Sequence, residues 1–125
     1  MYLAPIIADR LVGGITTDGV VVSVGPVQAD TVADTGVSVS TTLLVPLAGS
    51  YGVERATLTL SVIGGNDQKV HDVAQEVLTL TRSFDGTTQG GHMIDAVEYV
   101  DDQYTVTEDA SIIIRELSFT VDMEV

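Results

Sequence analysis

The stretch that most constrains the fold is residues 55–84, in which an alternating segment is followed by two glycines and then by an amphipathic segment. In residues 55–63 every second side chain is apolar, and this period of two is typical of a strand with one buried face. The apolar positions are Ala56, Leu58, Leu60 and Val62, and the polar ones between them are Thr57, Thr59 and Ser61. Gly64 and Gly65 then end the pattern, so a strand and a new element are predicted on either side of them.

The amphipathic segment predicts a long helix over about residues 66–84. Asn66 is a suitable N-cap residue, and Asp67 places a negative charge at the positive end of the helix. Apolar or small side chains recur at helical spacing, which predicts that one face lies on the sheet. The members of this stripe are Val70, Val73, Ala74, Val77, Leu78 and Thr81.

The first eleven residues predict a second, shorter helix. Its stripe, at positions i, i+3, i+4, i+7 and i+8, consists of Leu3, Ile6, Ile7, Arg10 and Leu11. Pro5 is compatible with the first turn, and Gly13 and Gly14 are expected to end the helix. A helix lying on a membrane surface is the alternative, but it would need several cations on its polar face and this segment has one arginine.

The other strands are predicted from shorter patterns. Residues 20–24 form an apolar run before Gly25, residues 27–36 look like an exposed excursion, and alternation returns in residues 37–45. In this last run the expected inward side chains are Val37, Val39, Leu43 and Val45. Pro46 is expected to end that strand or to place it at a sheet edge.

After the helix, residues 87–91 are expected to form a flexible connection and residues 93–100 a strand. The acidic run at 101–103 is expected to turn the chain back into a final antiparallel strand, with a bulge near Arg115. That strand alternates through Leu117, Phe119, Val121, Met123 and Val125. The whole chain, residues 1–125, is therefore predicted to be one α+β domain with a single mixed, mostly antiparallel sheet and both helices packed on it.

The charge balance is the most unusual property of the composition. Eighteen acidic residues stand against five basic ones, so the formal net charge is −13 although only 18% of the residues are charged. Such a chain lacks the cations that sequence-independent DNA or RNA binding requires. Two compatible interpretations remain: a protein that works in high salt, where self-repulsion is screened, or a surface past which DNA slides without sticking.

The chain contains no cysteine, so disulfide bonds and thiolate metal sites are excluded. No apolar run approaches the roughly 20 residues that cross a bilayer, and the first residues lack the pattern of a signal peptide. We therefore expect a soluble protein made in the cytoplasm, with no membrane partner.

No constellation of residues predicts catalysis. His71 and Asp72 are adjacent, but His92 is the only other histidine, and a surface histidine is a far more common role than a metal ligand. The acids Asp101, Asp102, Glu108 and Asp109 lack the ligand spacing of an EF-hand loop. The glycine pairs are not followed by the lysine of a phosphate-binding loop. The sequence predicts neither an enzyme nor a cofactor or metal site.

Four segments resemble one known family. They are the N-terminal helix at residues 3–11, RATLTLSVIGGND at 55–67, TRSFDGTTQGGHMIDAVEYV at 81–100, and TEDASIIIRELSFTV at 107–121. In this order they resemble the tail terminator proteins of long-tailed bacterial and archaeal viruses, which belong with the head-to-tail joining (tail completion) proteins. The low lysine count differs from a bacterial version and points to a virus of a halophilic archaeon.

The resemblance implies a structural protein of the virion tail and neck, assembled in the host cytoplasm. It implies a homo-oligomeric ring, usually of six copies, that caps the tail tube, contacts the head–tail connector protein and lets DNA pass through its lumen without specific binding. The expected interface residues lie in the excursion and in the glycine loop: Asp30, Asp34, Gly36, Gly86, Thr87, Thr88, Gln89 and Gly90. The alternatives are a tail tube or head–tail connector subunit and, from another class, a small acidic non-catalytic binding domain.

The acidic composition predicts that the fold depends on salt. Repulsion among 18 acids is poorly screened at low ionic strength, so the melting temperature should rise between about 0.1 M and about 3 M potassium chloride. Thermal unfolding followed by circular dichroism measures this. A melting temperature that stays flat over that range would contradict the halophilic interpretation.

Overall fold

The computed structural model of the protein describes residues 3–25, 35–47, 49, 52–107 and 111–124. Over these residues the chain forms an α+β fold in which one mixed sheet carries two helices, as the sequence predicts. The elements in chain order are α1 (Leu3–Gly14), β1 (Val21–Val24), β2 (Gly36–Thr41), β3 (Val45–Pro46), β4 (Val53–Gly64), α2 (Asp67–Arg82), β5 (Thr88–Gln89), β6 (His92–Val106) and β7 (Ile113–Glu124).

The sheet is built around β4. The strand order is β1-β2-β4-β7-β6-β5, and the short β3 also pairs with β4. Only β1 and β2 run parallel among the described strands; the other pairs are antiparallel. β4 pairs with β7 without interruption from Val53↔Glu124 to Gly64↔Ile113, and with β2 on its other side. Every second side chain of β4 therefore points to the same, buried face.

The alternation predicted for the central and last strands is confirmed. Ala56, Leu58, Leu60 and Val62 of β4 are buried, while Thr57 is exposed and Thr59 and Ser61 are half-buried on the opposite face. In β7 the buried side chains are Ile113, Leu117, Phe119, Val121 and Met123. Together they form an apolar floor under the helices.

α2 begins and ends close to the predicted residues. The Asn66 side chain accepts a hydrogen bond from the Lys69 backbone N–H at 3.0 Å, which makes it the N-cap. Its buried residues are Val70, Val73, Ala74, Val77 and Thr81, whereas Leu78 is only partly buried. Ser83 caps the C-terminus, and Phe84 beyond it is buried in the core.

α1 is longer than predicted and buries a different stripe. The helix continues through Gly13 to Gly14. A side chain at Gly14 would come within 2.8 Å of Leu80 Cδ2 of α2, so glycine at this position allows the two helices to approach closely. Ala4 and Ala8 are buried beside Leu3, Ile7 and Leu11, so Arg10 is not part of the stripe and is exposed. The small alanines let the helix lie close to β1 and β2.

The run at residues 37–45 is not one strand. β2 leaves its ladder after Thr41, where the Thr42 hydroxyl accepts a hydrogen bond from Thr57 N–H at 2.9 Å. Val37 and Val39 are buried as predicted, but Leu43 and Val45 are exposed, because the break ends the alternation that would have turned them inward. Pro46 lies in the short strand β3, beside the end of β4.

The turn predicted at residues 101–103 is wrong. These residues lie within β6, which continues to Val106. The chain reverses between Thr107 and Ile112, and the Thr107 N–H donates a hydrogen bond to the Ile112 carbonyl at 3.0 Å. The bulges lie in β6, at Asp95 and Val100, and not near Arg115 in β7. Asp101, Asp102 and Gln103 can adopt the extended backbone of a strand, and the Arg115 side chain on the neighbouring strand binds the Asp102 carboxylate there.

The packing of α2 gives a direct test of the buried face. Val73→Asp or Val77→Asp would bury a carboxylate without a partner at a cost of several kcal/mol, enough to unfold a domain of this size. Gln75→Asp changes an exposed position of the same helix and serves as the control. We expect loss of the folded circular dichroism spectrum in the first two variants and near wild-type melting in the third. Wild-type melting of Val73→Asp would contradict the assignment.

Candidate functional site

The described residues contain no cluster of three or more histidine, cysteine, aspartate or glutamate side chains arranged to hold a metal ion. None of the helices in the described ranges has the length and apolar character needed to cross a membrane. The candidate functional sites are therefore surfaces that could contact other molecules.

The predicted interface residues of the excursion fall in different places. Asp30 and Asp34 lie outside the described residues. Gly36 begins β2 and is buried, with Val21 of β1 on one side and Ile63 of β4 on the other. The prediction that Gly36 is exposed is wrong, because this residue lies in β2 between β1 and β4.

The glycine loop is a hydrogen-bonded hairpin and not a flexible connection. Gln89 pairs with His92 across a two-residue turn in which Gly90 and Gly91 have φ of 57° and 83°. Two successive positive φ values are the requirement of the turn that fits the twist of a hairpin, and they favour glycine. A side chain at Gly90 would come within 2.8 Å of Ile6 Cδ1, so the turn also packs on α1.

This hairpin is fixed to the core at its base. The Gly86 N–H donates to the Ile94 carbonyl at 2.9 Å, and the Ile94 N–H donates to the Thr87 carbonyl at 2.8 Å. Thr87 is half-buried, and its hydroxyl accepts from the Gln89 side-chain amide at 2.9 Å, whereas Thr88 is exposed. The predicted interface residues of this loop thus form a hydrogen-bonded projection beside α1, and their contact with a partner stays a prediction.

The face of the sheet opposite the helices is polar. No helix of the described part covers it, and its central side chains are small hydroxyls: Ser38 and Ser40 of β2, Thr57, Thr59 and Ser61 of β4, and Ser118 and Thr120 of β7. The acids Glu98, Glu116 and Asp122 lie on the same face. Arg55 forms a two-bond ion pair with Asp122, with N–O distances of 2.7 and 2.9 Å, and this hydrogen bonding lowers the pKa of the Asp122 carboxyl.

A polar cluster joins the far part of the β6–β7 hairpin to the start of α2. The Arg115 guanidinium pairs with both carboxyl oxygens of Asp102 and lies 3.0 Å from His71 Nδ1. The Tyr104 hydroxyl donates to Asp67 at 3.1 Å, and burial first, then this hydrogen bond, raises the pKa of Tyr104. The cluster borders a cavity of about 280 Å³. A cation facing His71 disfavours a metal ion there, so the cluster acts as a clasp between hairpin and helix.

Large exposed apolar side chains occur at three places on the described surface. Val21 and Val24 are on β1, with Val12 on the neighbouring α1, and Val100, Tyr104 and Val106 are on β6. Leu43 and Val45 border an open groove of about 470 Å³ together with Pro46 and Leu47. Sequence reasoning missed these groups because exposure depends on which strands end the sheet, and a strand pattern alone does not show that order.

No protein-family model matches the sequence, and no match was found among curated proteins. Among solved structures, the fold is similar to that of a chain in the virion of a native gene transfer agent (GTA) particle. The two chains share 16% sequence identity with a TM-score of 0.71, and the match covers 98% of this chain and 95% of that chain. At this identity the similarity is one of fold, over nearly the full length of both chains.

The hairpin that carries the predicted interface residues can be tested by a matched pair of glycine variants. Gly91 has a positive φ and open space around it, so Gly91→Ala should lower the free energy of unfolding by about 1–2 kcal/mol through backbone strain alone. Gly13 is helical and equally open, so Gly13→Ala should raise that free energy by up to about 1 kcal/mol. Urea unfolding in molar salt measures both. Equal effects of the two substitutions would contradict the hairpin geometry.

Proposed function

We propose that this chain is a structural protein of a phage-like virion, and that its copies form a ring that caps the tail tube and joins it to the head connector. The observation that carries the proposal is the nearly full-length likeness in fold to a chain of a gene transfer agent virion. The sequence resemblance to tail terminator proteins supplies the more specific role within such a virion. Six copies, a tail tube protein and a connector protein are the partners that the resemblance implies.

The surface chemistry supports an assembly role. A ring needs two different complementary faces on each subunit, and the described surface has separate apolar groups on the edge strand β1 and on the part of β6 that β5 does not cover. A third apolar group, at Leu43 and Val45, leaves a contact surface for another component. The turn at Gly90 and Gly91 adds a projection beside α1.

The electrostatics suit a channel through which DNA moves. The chain has a net charge of −13, and the polar face of the sheet presents small hydroxyls with Glu98 and Glu116 among them. Phosphates gain no counterion release from such a surface, so a ring of these subunits would not retain DNA electrostatically. The same charge fits a virus whose host is a halophilic archaeon, since molar salt screens repulsion within about 3 Å.

Native mass in molar potassium chloride tests the proposal. We expect a closed ring of about six copies, and we expect the purified ring to stop the growth of tubes formed by the tail tube protein of the same virus. Growth is followed by electron microscopy of tube lengths, with bovine serum albumin as the protein control. A chain that is monomeric at every salt and protein concentration, and that leaves tube length unchanged, would contradict the function. Polymerisation of this chain into long tubes by itself would identify it as a tube subunit instead.

A further inference from the structure

The outer edge of β6 has an open backbone. The hydrogen bond from Thr107 N–H to the Ile112 carbonyl fixes the phase of the β6–β7 ladder, in which hydrogen-bonded and non-hydrogen-bonded pairs alternate. Counting back from this pair, the N–H and C=O groups of Val106, Tyr104 and Asp102 point away from β7. β5 pairs only with the first two residues of β6, so no described strand lies beside this segment.

Carboxylates block this edge at two points and leave the rest open. The Asp85 side chain accepts from Val97 N–H at 3.1 Å, and the Asp101 side chain accepts from Asp102 N–H at 2.8 Å. Charged side chains that cap edge amides are a common protection against unwanted strand pairing. After Asp102 in the chain, Tyr104 is 56% exposed and Val106 is also exposed. The backbone N–H groups of these two residues point away from β7, so this part of the edge combines open backbone amides with apolar side chains.

β1 forms the opposite edge of the described sheet. Val21 N–H and Gly25 N–H donate to the carbonyls of Thr35 and Val39, at 3.1 and 2.9 Å, and therefore face β2. By alternation the backbone groups of Val22 and Val24 face outward. Val21 is 64% exposed, and Val24 is exposed on the same strand, so this edge also combines a strand backbone with apolar side chains.

The strand directions are compatible with one continuous sheet. β1 runs parallel to β2, and three antiparallel pairings lead from β2 through β4 and β7 to β6. β6 therefore runs opposite to β1. If a second copy continues the sheet with its helices on the same side, its β1 lies antiparallel to β6, which is the more stable type of pairing.

The charges are complementary as well. Four of the five cations are engaged within the chain: Arg55 with Asp122, Arg115 with Asp102, Arg82 over the ring of Tyr99, and Lys69 in a contact of its own. Arg10 is exposed on α1, the helix that packs on β1, and has no hydrogen bond or ion pair with the described residues. Glu98 and Asp101 are exposed on β6. Because these acids lie on the polar face and Arg10 on the helix side, Arg10 does not pair with them directly; it lowers the repulsion between the β1 edge of one copy and the acidic β6 edge of another.

We propose that β1 of one copy adds as an antiparallel strand to the β6 edge of the next, so that the sheet continues across the subunit boundary. Val24 of one copy, whose side chain lies on the helix side of the sheet, then comes beside Tyr104 and Val106 of its neighbour on that same side. The contact is head-to-tail and closes when the rotation per subunit fits a ring. This inference rests on the ring of the proposed function and specifies how that ring is held together.

Because the chain has no cysteine, engineered cysteines can map this contact without background. Val24→Cys and Tyr104→Cys are mixed in equal amounts in molar salt and oxidised mildly. We expect one disulfide-linked heterodimer in the mixture and no crosslink in either variant alone. The double variant should give a covalent ladder that ends at the mass of the ring. Leu43→Cys, which is exposed but lies on neither edge, replaces Val24→Cys as the matched control and should not crosslink.

Residue-resolved hydrogen exchange of the wild-type protein provides a second measurement that needs no substitution. Assembly from dilute monomer into the ring should slow exchange of the Tyr104 and Val106 amides, while Gln103 and Thr105 are already protected by β7 in both states. Crosslinking of Tyr104→Cys with itself would show a two-fold β6–β6 contact and overturn the inference. A ring of normal mass with neither the heterodimer nor the alternating protection would overturn it while leaving the proposed function intact. Failure to form any ring would overturn both.

Discussion

The contact between the apolar face of β4 and β7 and the buried stripe of α2 is the interaction on which the rest of the structure depends. Val70, Val73 and Val77 lie on a floor that includes Leu60 and Phe119, all with almost no solvent exposure. Burying side chains of this size stabilises a fold by about 1.5–3 kcal/mol each. The long uninterrupted register of β4 with β7 makes that floor possible, because a slip of one residue would turn every apolar side chain to the polar face.

Covering only one face of the sheet determines what the molecule can offer to partners. α1 and α2 both lie on the apolar side, so within the described part of the chain the opposite face and the two edges are left for solvent or for other subunits. The polar face consists of short hydroxyl side chains with acids between them, which suits water or moving DNA better than a dry interface. The edges combine open backbone with Val21, Val24, Tyr104 and Val106, and that combination suits pairing with another copy.

The chain has only five lysine and arginine residues, and two of the arginines each connect separate elements of the fold. Arg55 joins two central strands across the polar face, and Arg115 holds Asp102 and contacts His71, which keeps the long hairpin against α2. Glu76 plays the converse role, since hydrogen bonds from Thr16 first and then Thr17 hold the segment after α1 against α2 and lower the pKa of the Glu76 carboxyl. Surface ion pairs of this kind add little stability individually, so their main effect here is to fix orientation.

The sequence alone determined the elements whose patterns are local. Alternation in β4 and β7, the Asn66 N-cap and the stripe of α2 follow from periods of two and 3.6 residues, and these predictions are confirmed, as is the α+β class. Tertiary structure decided what depends on neighbours. Residues 101–103 extend a strand that pairs with residues 116–118 of β7, and Arg115 of that strand binds Asp102; the hairpin at residues 88–93 packs on Ile6 of α1. Gly36 is buried because two strands flank it, and the apolar edges of β1 and β6 exist because those strands end the central ladder. Each of these outcomes comes from contacts between residues far apart in the chain, which no local period encodes.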